Sequence, residues 1–242
     1  MPMTTPKTPR SATGSRGRSG GRGSRSGRGA PRPTVVLLVR HGRTPTTGSV
    51  LPGRAPDLHL SDEGLAQAEA VAERIGALAE GDRTGPTAVY ASPLERTFET
   101  AKPIARRLGL RVRSDRGLLE CDFGAWTGQQ LSVLAKKPEW NQVQRFPSGF
   151  RFPGGESFAE MQVRITSALS RLVGLHPGET IVAVSHADPI KAAAAAAAGT
   201  HLDLFQRLVV SPCSVTAIAY SESGPYVLSL NGTASLSELA IS

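Results

Sequence analysis

The feature that most constrains the fold is a repeated order in which a short apolar run precedes a segment with helical periodicity. The runs are VVLLV at 35–39, AVYA at 88–91 and TIVAV at 180–184. Continuous apolar runs of this length are typical of strands that are covered on both faces. Alternating strands and helices predict an α/β fold, a three-layer α/β/α sandwich around a mostly parallel central sheet.

Helical periodicity occupies the segments between these runs. Residues 61–78 repeat apolar side chains at three- and four-residue spacing, from Leu65 to Leu78, and residues 157–173 do the same. This spacing places the apolar side chains on one face of a helix. The alanine-rich residues 189–198 predict a further helix because alanine has the highest helix propensity.

Three shorter signals complete the predicted order of elements. The sequence SPLE at 92–95 predicts a capping box with proline at the first helical position, opening a helix that reaches Arg107. Residues 110–114 predict a short edge strand. Residues 215–219 and 226–230 alternate around a turn and predict an antiparallel hairpin that closes the sheet.

The positive charge of the chain is concentrated at its beginning. Residues 1–33 hold eight basic and no acidic residues, which equals the net charge of +8, so residues 34–242 are formally neutral. A Gly/Ser/Arg-rich segment with almost nothing to bury predicts a disordered tail, followed by one domain over 34–242. Its RG repeats are similar to tracts that contact RNA weakly, but we favour a solvated basic arm.

Composition excludes several classes of protein. No apolar run approaches the roughly 20 residues that cross a membrane, and no secretory leader is evident, so we expect a cytoplasmic protein. The cysteines are Cys121 and Cys213 alone. Two cysteines form neither a disulfide framework nor a four-cysteine zinc site.

Charged side chains follow all three apolar runs at the point where each run ends. Arg40 and His41 follow the first, Arg96 opens the helix after the second, and His186 follows the third. The carboxyl ends of parallel strands meet at one edge of a sheet, so we expect these side chains to share a crevice. Helices that begin there direct free N–H groups into it. The sequence therefore predicts an anion site, and guanidinium groups fit phosphate especially well.

Other interpretations of these residues are weaker. Arginines around His41 would repel a metal cation, so we expect no metal site. Ser185 and His186 are adjacent on a strand and point to opposite faces, which disfavours a serine–histidine–aspartate triad. The remaining histidines are expected to be structural: His59, His176 and His201.

Six segments occur in an order that is similar to a known family. They are LVRHGRT, GRAPDLHLSDEGLAQAEA, YASPLERTFETA, LLECDFGAWTG, FPGGESFAEMQVR and VSHADPIK, and the similarity runs from about residue 35 to residue 230. The chain thereby resembles the histidine phosphatase superfamily, the phosphoglycerate mutase-like proteins that share the RHG motif. HLDLFQRLVVSPCSV most resembles actinobacterial members labelled as phosphomutases or phosphatases.

The resemblance implies a phosphohistidine mechanism. His41 would be the nucleophile, with its pKa lowered by Arg40 and Arg96, which would also clamp the phosphoryl oxygens. His186 would donate a further hydrogen bond to the phosphate, most strongly when its ring is protonated. The positive charge of these groups implies that no metal or cofactor is needed.

Further roles also follow from the resemblance. Glu120 would be the acid that protonates the leaving oxygen, with its pKa raised by bound phosphate, and Asp122 is the second candidate. Thr44 and the backbone N–H of Ala187 would contact phosphate. Arg43 would face either the leaving group or solvent.

The resemblance leaves three functions open. The first is hydrolysis of a small phosphorylated metabolite, the second is phosphoglycerate mutase-type transfer, and the third is nucleic-acid-associated binding on a phosphatase scaffold. The segment between Glu120 and Glu156 is short, and Arg43-Thr44 replaces the Glu-Ser that follows RHG in dedicated mutases. We therefore rank phosphatase first. Residues 136–152 are expected to form a lid that selects the substrate, while the sequence specifies neither the substrate nor the oligomeric state.

Overall fold

A six-stranded sheet organises the computed structural model, which describes residues 32–79 and 85–233. In chain order the strands are β1 (Thr34–Arg40), β2 (Ala88–Ala91), β3 (Val112–Ser114), β4 (Thr180–Ser185), β5 (Val215–Ser221) and β6 (Gly224–Gly232). Across the sheet the order is β3-β2-β4-β1-β5-β6. The first four strands pair in parallel, and β5 and β6 pair antiparallel. The mostly parallel sheet and its closing hairpin are confirmed.

Helices cover both faces of this sheet. They are α1 (Asp62–Gly76), α2 (Glu95–Leu108), α3 (Leu131–Leu134), α4 (Pro138–Arg145), α5 (Phe158–Leu175) and α6 (Ala187–Ala197). Side chains alternate along β1, so Val36 and Leu38 pack with α5 and α6, whereas Leu37 and Val39 pack with α1 and α2. Two hydrophobic cores flank one sheet, which confirms the three-layer α/β/α sandwich.

The helix that carries Arg96 begins later than the sequence predicts. α2 begins at Glu95, and its N-cap Leu94 makes no side-chain capping bond. The predicted capping box is therefore wrong, and Pro93 lies before the helix instead of at its first position. The Oγ atom of Ser92 instead lies 2.9 Å from Nε2 of His186, a contact that joins two strand ends.

The apolar face of α1 is narrower than its periodicity indicates. Ala68, Val71 and Ile75 are buried, but Leu65 is 48% and Leu78 is 40% exposed. Leu65 lies in the first turn, and Leu78 lies in a 3-10 turn (Ala77–Ala79) that follows the helix. Neither residue belongs to the hydrophobic core that α1 shares with α2 through Ala68, Val71 and Ile75.

Some expectations concern parts of the chain that the structure does not describe. The basic tail falls almost wholly outside the described residues, which begin at Arg32. Within the described ranges, no helix is long and apolar enough to cross a membrane. No disulfide joins the buried Cys121 to the buried Cys213.

Candidate active site

A cavity of about 390 Å³ opens at the carboxyl ends of β1 and β4. Its inner end is lined by Arg40, His41, Glu120 and Ala187, which come from three separate parts of the chain. Arg96 and His186 do not line the cavity, because both side chains are fully buried, and the ring centroid of His186 lies 5.2 Å from that of His41. The strand ends therefore bring the predicted residues together at one edge of the sheet, as the parallel topology requires.

His41 is held as a neutral imidazole with one ring nitrogen committed. Its side chain is buried, and Nδ1 lies 2.7 Å from the carbonyl oxygen of Gly42. A carbonyl only accepts, so Nδ1 carries the proton and Nε2 keeps its lone pair. Burial lowers the pKa of His41 well below its ordinary value, and the charges of Arg40 and Arg96 lower it further. The pKa of His41 is therefore lowered, as the sequence predicts, but burial contributes more to the lowering than the two arginines do.

Arg40 and Arg96 each use only some of their guanidinium N–H groups to bond the described part of the chain. Arg40 donates from Nη1 to the Val210 carbonyl at 2.8 Å, and Arg96 donates from Nη2 to the Gly53 carbonyl at 2.7 Å. Among the described residues, no partner is found for Nε of either arginine or for Nη1 of Arg96. A buried donor without an acceptor is costly, so these atoms are available to donate to a bound anion.

The structure corrects the protonation state expected for His186. This side chain is fully buried, and burial lowers the pKa of His186 well below its ordinary value, followed by the charges of Arg96, His41 and Arg40. The protein alone therefore keeps His186 neutral. With Nε2 bonded to Ser92 Oγ, the ring nitrogen without a partner in the described chain is Nδ1.

Glu120 has the properties of a proton donor near neutral pH. Burial raises the pKa of Glu120 to about 7, and the neighbouring charge of Asp188 adds to the rise. Hydrogen bonding from the Cys121 N–H to Oε1 at 2.9 Å opposes it, as do Arg96 and Arg40. The protein alone thus raises this pKa, before any phosphate contributes.

A set of residues that sequence reasoning missed holds the Glu120 backbone. Arg54 donates to the Glu120 carbonyl at 2.8 Å, and Arg164 donates to the same oxygen at 3.2 Å. Both guanidiniums also bond the carboxylate of Glu156, at 2.9 Å and 2.8 Å. Glu156 and Arg164 lie in the FPGGESFAEMQVR motif, so their presence in a matched motif was the available signal.

Thr44 and Ala187 line the same cavity as His41. Thr44 is buried, and its Oγ1 lies 3.2 Å and 3.0 Å from the hydroxyls of Thr46 and Thr47. Ala187 is the first residue of α6, where backbone N–H groups have no acceptor within the helix. Both positions suit contact with phosphate oxygens.

Several predicted residues lie away from the cavity. Arg43 is exposed and pairs with Glu63 at 3.3 Å. Asp122 caps Gly124 N–H at 3.0 Å and lies 3.5 Å from Arg54. Neither lines the cavity. Ser185 donates to the Leu118 carbonyl, consistent with its exclusion from a triad.

The predicted lid is wrong in its position. Phe150 and Phe152 are buried, and they pack with Trp126 at ring distances of 5.5 Å and 5.4 Å. No residue from 136–152 lines the cavity. Aromatic residues in this segment build a core, because burying rings contributes more than leaving them at a surface.

The outer wall of the cavity comes from other segments. Residues 47–52, Leu131 and 208–210 provide a mainly apolar side, and Asp188, Lys191 and Gln206 provide a polar side. Neither wall was predicted. Within the described ranges, no cluster of three His, Cys, Asp or Glu side chains is arranged to hold a metal ion.

Comparison with known proteins identifies the family. The model of the histidine phosphatase superfamily (branch 1) matches residues 36–233, and the chain belongs to this superfamily. The members most similar to it include proteins with different names.

Three curated relatives illustrate the range. A bifunctional protein of Mycobacterium tuberculosis is 37% identical over 160 residues, which cover 66% of this chain and 43% of that protein. Phosphoserine phosphatase 1 of Hydrogenobacter thermophilus is 32% identical, covering 76% of this chain and 86% of the relative. A Cronobacter sakazakii protein named as a probable phosphoglycerate mutase is 33% identical, covering 78% and 86%. The chain thus spans less than half of the first relative's length.

Solved structures agree with the fold. A mycobacterial glucosyl-3-phosphoglycerate phosphatase superposes with a TM-score of 0.73 at 26% identity, covering 84% of this chain and 100% of that one. A phosphoserine phosphatase mutant from Entamoeba histolytica, in complex with phosphoserine, gives 0.73 at 26% identity, covering 84% and 99%. Phosphatases of small phosphorylated molecules are therefore among the structural neighbours.

Proposed function

We propose that this chain is a phosphomonoesterase that transfers the phosphoryl group of a small substrate to Nε2 of His41 and then to water. The observation that carries the proposal is the state of His41. A buried, neutral imidazole with a free Nε2 lies beside guanidinium donors that have no protein partner in the described chain. This combination suits a nucleophile that meets an anion.

In the first step, the phosphate dianion accepts hydrogen bonds from the unpaired N–H groups of Arg40 and Arg96. Nδ1 of His186 and the backbone N–H of Ala187 donate further hydrogen bonds to it. The Nε2 lone pair forms the bond to phosphorus while the bond to the leaving oxygen breaks. Glu120 gives its proton to that oxygen. Guanidinium groups already fixed in place stabilise the charge on the equatorial oxygens without reorganising.

In the second step, water attacks the phosphohistidine. Glu120, now a carboxylate, accepts a proton from the water, and the N–P bond breaks with its electron pair returning to Nε2. Inorganic phosphate leaves, and Glu120 and His41 return to their starting states. A carboxyl with a pKa of about 7 suits both directions of transfer. The charge that a metal would supply comes here from the arginines and the start of α6.

The experiment that tests this proposal is trapping of the phosphoenzyme. Incubation with a phosphodonor is expected to give acid-labile, base-stable phosphorylation of the wild type and none of His41→Ala. His59→Ala is the matched control, since His59 is exposed and pairs with Glu99. Phosphate release that persists at the wild-type rate in His41→Ala contradicts the proposal.

A mutase remains the second candidate because the Cronobacter sakazakii relative is named as a probable phosphoglycerate mutase. A mutase returns the phosphoryl group to another oxygen of the same sugar acid instead of giving it to water. Following labelled 3-phosphoglycerate distinguishes the two, since hydrolysis accumulates inorganic phosphate and transfer accumulates the 2-isomer. We rank hydrolysis first.

A further inference from the structure

Three side chains on the outer polar wall of the cavity have no role in the steps above. Asp188, Lys191 and Gln206, hereafter the outer polar group, line the cavity beyond its phosphate end. Lys191 Nζ donates to Gln206 Oε1 at 3.0 Å and lies 3.5 Å from Asp188 Oδ1. The Asp188 and Lys191 side chains are each 17% exposed. These side chains are held by each other and face the space that a leaving group must occupy.

The charge of the outer polar group differs from that of the inner end. Arg40 lines the inner end, and the buried Arg96 adds its positive charge near His41 and Glu120, whereas the carboxylate of Asp188 and the ammonium of Lys191 cancel. What the outer polar group offers is a mixture of acceptor oxygens and N–H donors at close range, with the Gln206 amide nitrogen as a further donor. Hydroxyl groups both donate and accept, so several hydroxyls match this mixture better than a single charge does.

The order of these residues along α6 disfavours an acidic leaving group. Asp188 lies in the first turn, and Lys191 follows three residues later, about 4.5 Å further along the helix axis. The charge of Asp188 acts on both Arg40 and Glu120, so Asp188 is the charged member of the outer polar group that the atoms nearest the phosphate meet. A carboxylate within two carbons of the phosphorylated oxygen would be repelled by Asp188, while a hydroxyl donates to it.

The cavity also has an apolar part. Val50, Leu51, Leu131 and Leu208 line the same cavity as the outer polar group. A sugar ring has C–H faces that pack on aliphatic side chains and an edge of hydroxyls. One apolar wall and one wall of mixed donors and acceptors fit these two surfaces.

We propose that the outer polar group selects a polyhydroxylated, uncharged leaving group, so that the substrates are sugar-like monophosphates. The inference rests on the proposed function, because it assumes that the phosphate occupies the inner end. Lys191 and Gln206 are then specificity-determining residues for the same site.

A matched substrate panel tests the inference. The kcat/KM values are compared for a set of hexose and pentose monophosphates, for O-phosphoserine as a zwitterion, for 3-phosphoglycerate as an anion, and for phenyl phosphate, which has no hydroxyl. We expect the best sugar monophosphate to exceed each of the others by about tenfold or more, as a site built for hydroxyl groups discriminates against analogues that lack them.

Variants assign the preference to the outer polar group. In Lys191→Met, the ratio of kcat/KM on the best sugar monophosphate to that on phenyl phosphate is expected to fall by about tenfold. Lys136→Met is the matched control, since Lys136 is exposed and lies in the segment that does not line the cavity. A ratio unchanged in Lys191→Met, or a preference for O-phosphoserine or 3-phosphoglycerate, overturns the inference while leaving the phosphatase intact.

Binding separates this inference from the proposed function. If no substrate of the panel is hydrolysed, the phosphatase proposal fails, and calorimetric titration of the same compounds still decides the selectivity. Sugar monophosphates that bind the wild type more tightly than phenyl phosphate, and Lys191→Met less tightly, support the outer polar group. Equal affinity for both compounds contradicts it whether or not catalysis occurs.

Discussion

The inner and outer parts of the cavity are built in different ways. Arg96 and His186 at the inner end are 0% exposed and are fixed by contacts to Gly53 and Ser92, which lie far from them in sequence. The outer wall includes Val209, which is 63% exposed. The sheet topology therefore sets the part proposed to bind phosphate, whereas surface segments set the part proposed to meet the rest of the substrate. Variants should divide along the same line.

The largest effect that separates the two parts is expected from Arg96→Met, which keeps much of the side-chain length and removes the charge. We expect kcat/KM to fall by about 10² to 10³ on every substrate, because a positioned donor at a charge-bearing oxygen is lost. Arg106→Met on the same helix is the control, since Arg106 is exposed and pairs with Glu69. Steady-state kinetics with circular dichroism of both variants check this. A loss of kcat/KM under threefold would contradict the proposed role of Arg96 in binding phosphate.

The next effect concerns the proton donor. Glu120→Gln is expected to lower kcat/KM, which reports the first step and not the hydrolysis of the phosphohistidine, by about 10² on alkyl phosphates, whose leaving oxygen needs a proton. The loss should be much smaller on 4-nitrophenyl phosphate, because 4-nitrophenolate leaves as a stable anion. Glu139→Gln, at an exposed position in α4, is the control. Equal losses on both kinds of substrate would show that Glu120 does not protonate the leaving group.

A smaller effect is expected in the pH profile. A proton donor works while protonated, so kcat/KM should fall above the Glu120 pKa of about 7. The charge of Asp188 raises that pKa, so Asp188→Asn should move the decline to lower pH. The pKa of His41 lies well below its ordinary value, so His41 stays unprotonated through neutral pH and causes no loss there.

The control for the pH profile is Asp122→Asn, because Asp122 lies outside the cavity and pairs with Arg54. Its kcat/KM should decline at the same pH as that of the wild type. The measurement is the inflection of kcat/KM for one substrate across pH 5 to 9. If the pH of the decline shifts in Asp122→Asn and not in Asp188→Asn, then Asp122, and not Asp188, raises the pKa of Glu120.

The smallest effects belong to the outer wall and to the segment once expected to be a lid. Leu208→Ala should change the relative kcat/KM of two substrates with different leaving groups by about threefold to tenfold, as lost contacts in an apolar pocket do. Phe146→Ala should change it by less than about twofold, since Phe146 is 54% exposed and lies outside the cavity. A larger effect of Phe146→Ala than of Leu208→Ala would support a lid formed by residues 136–152.

The inner end could be predicted because local sequence determined it. Apolar runs gave the strands, topology placed their carboxyl ends together, and Arg40, His41, Arg96 and His186 follow those ends directly. The role of Ser92 could not be predicted, because the sequence allows its hydroxyl either to cap the start of α2 or to contact His186. A capping bond is local, while the contact with His186 spans 94 residues and depends on two strands being neighbours.

The outer wall could not be predicted for a related reason. Segments 47–52 and 208–210 contain no repeat or charge pattern that marks a binding surface, and they meet only through the tertiary fold. The aromatic residues of 136–152 gave a misleading signal, because a segment that packs into the core can have the same composition as a lid; Phe150 and Phe152 belong to the core that also contains Val36 and Leu38. Phe152 packs against Phe123, which lies in the LLECDFGAWTG motif, and against Phe158 of α5.

The glycine of the RHG motif has a consequence for how this site tolerates sequence change. A Cβ atom on Gly42 would lie 2.6 Å from the carbonyl oxygen of Gly64, and one on Gly64 would lie 2.0 Å from that of Arg43. The backbone at the start of α1 therefore lies directly against the backbone of the loop that follows His41. In a saturation library, Gly64 should behave as an intolerant position within an otherwise permissive, solvent-facing first turn. Directed evolution of substrate range would therefore have to leave this contact alone and draw its diversity from the outer wall.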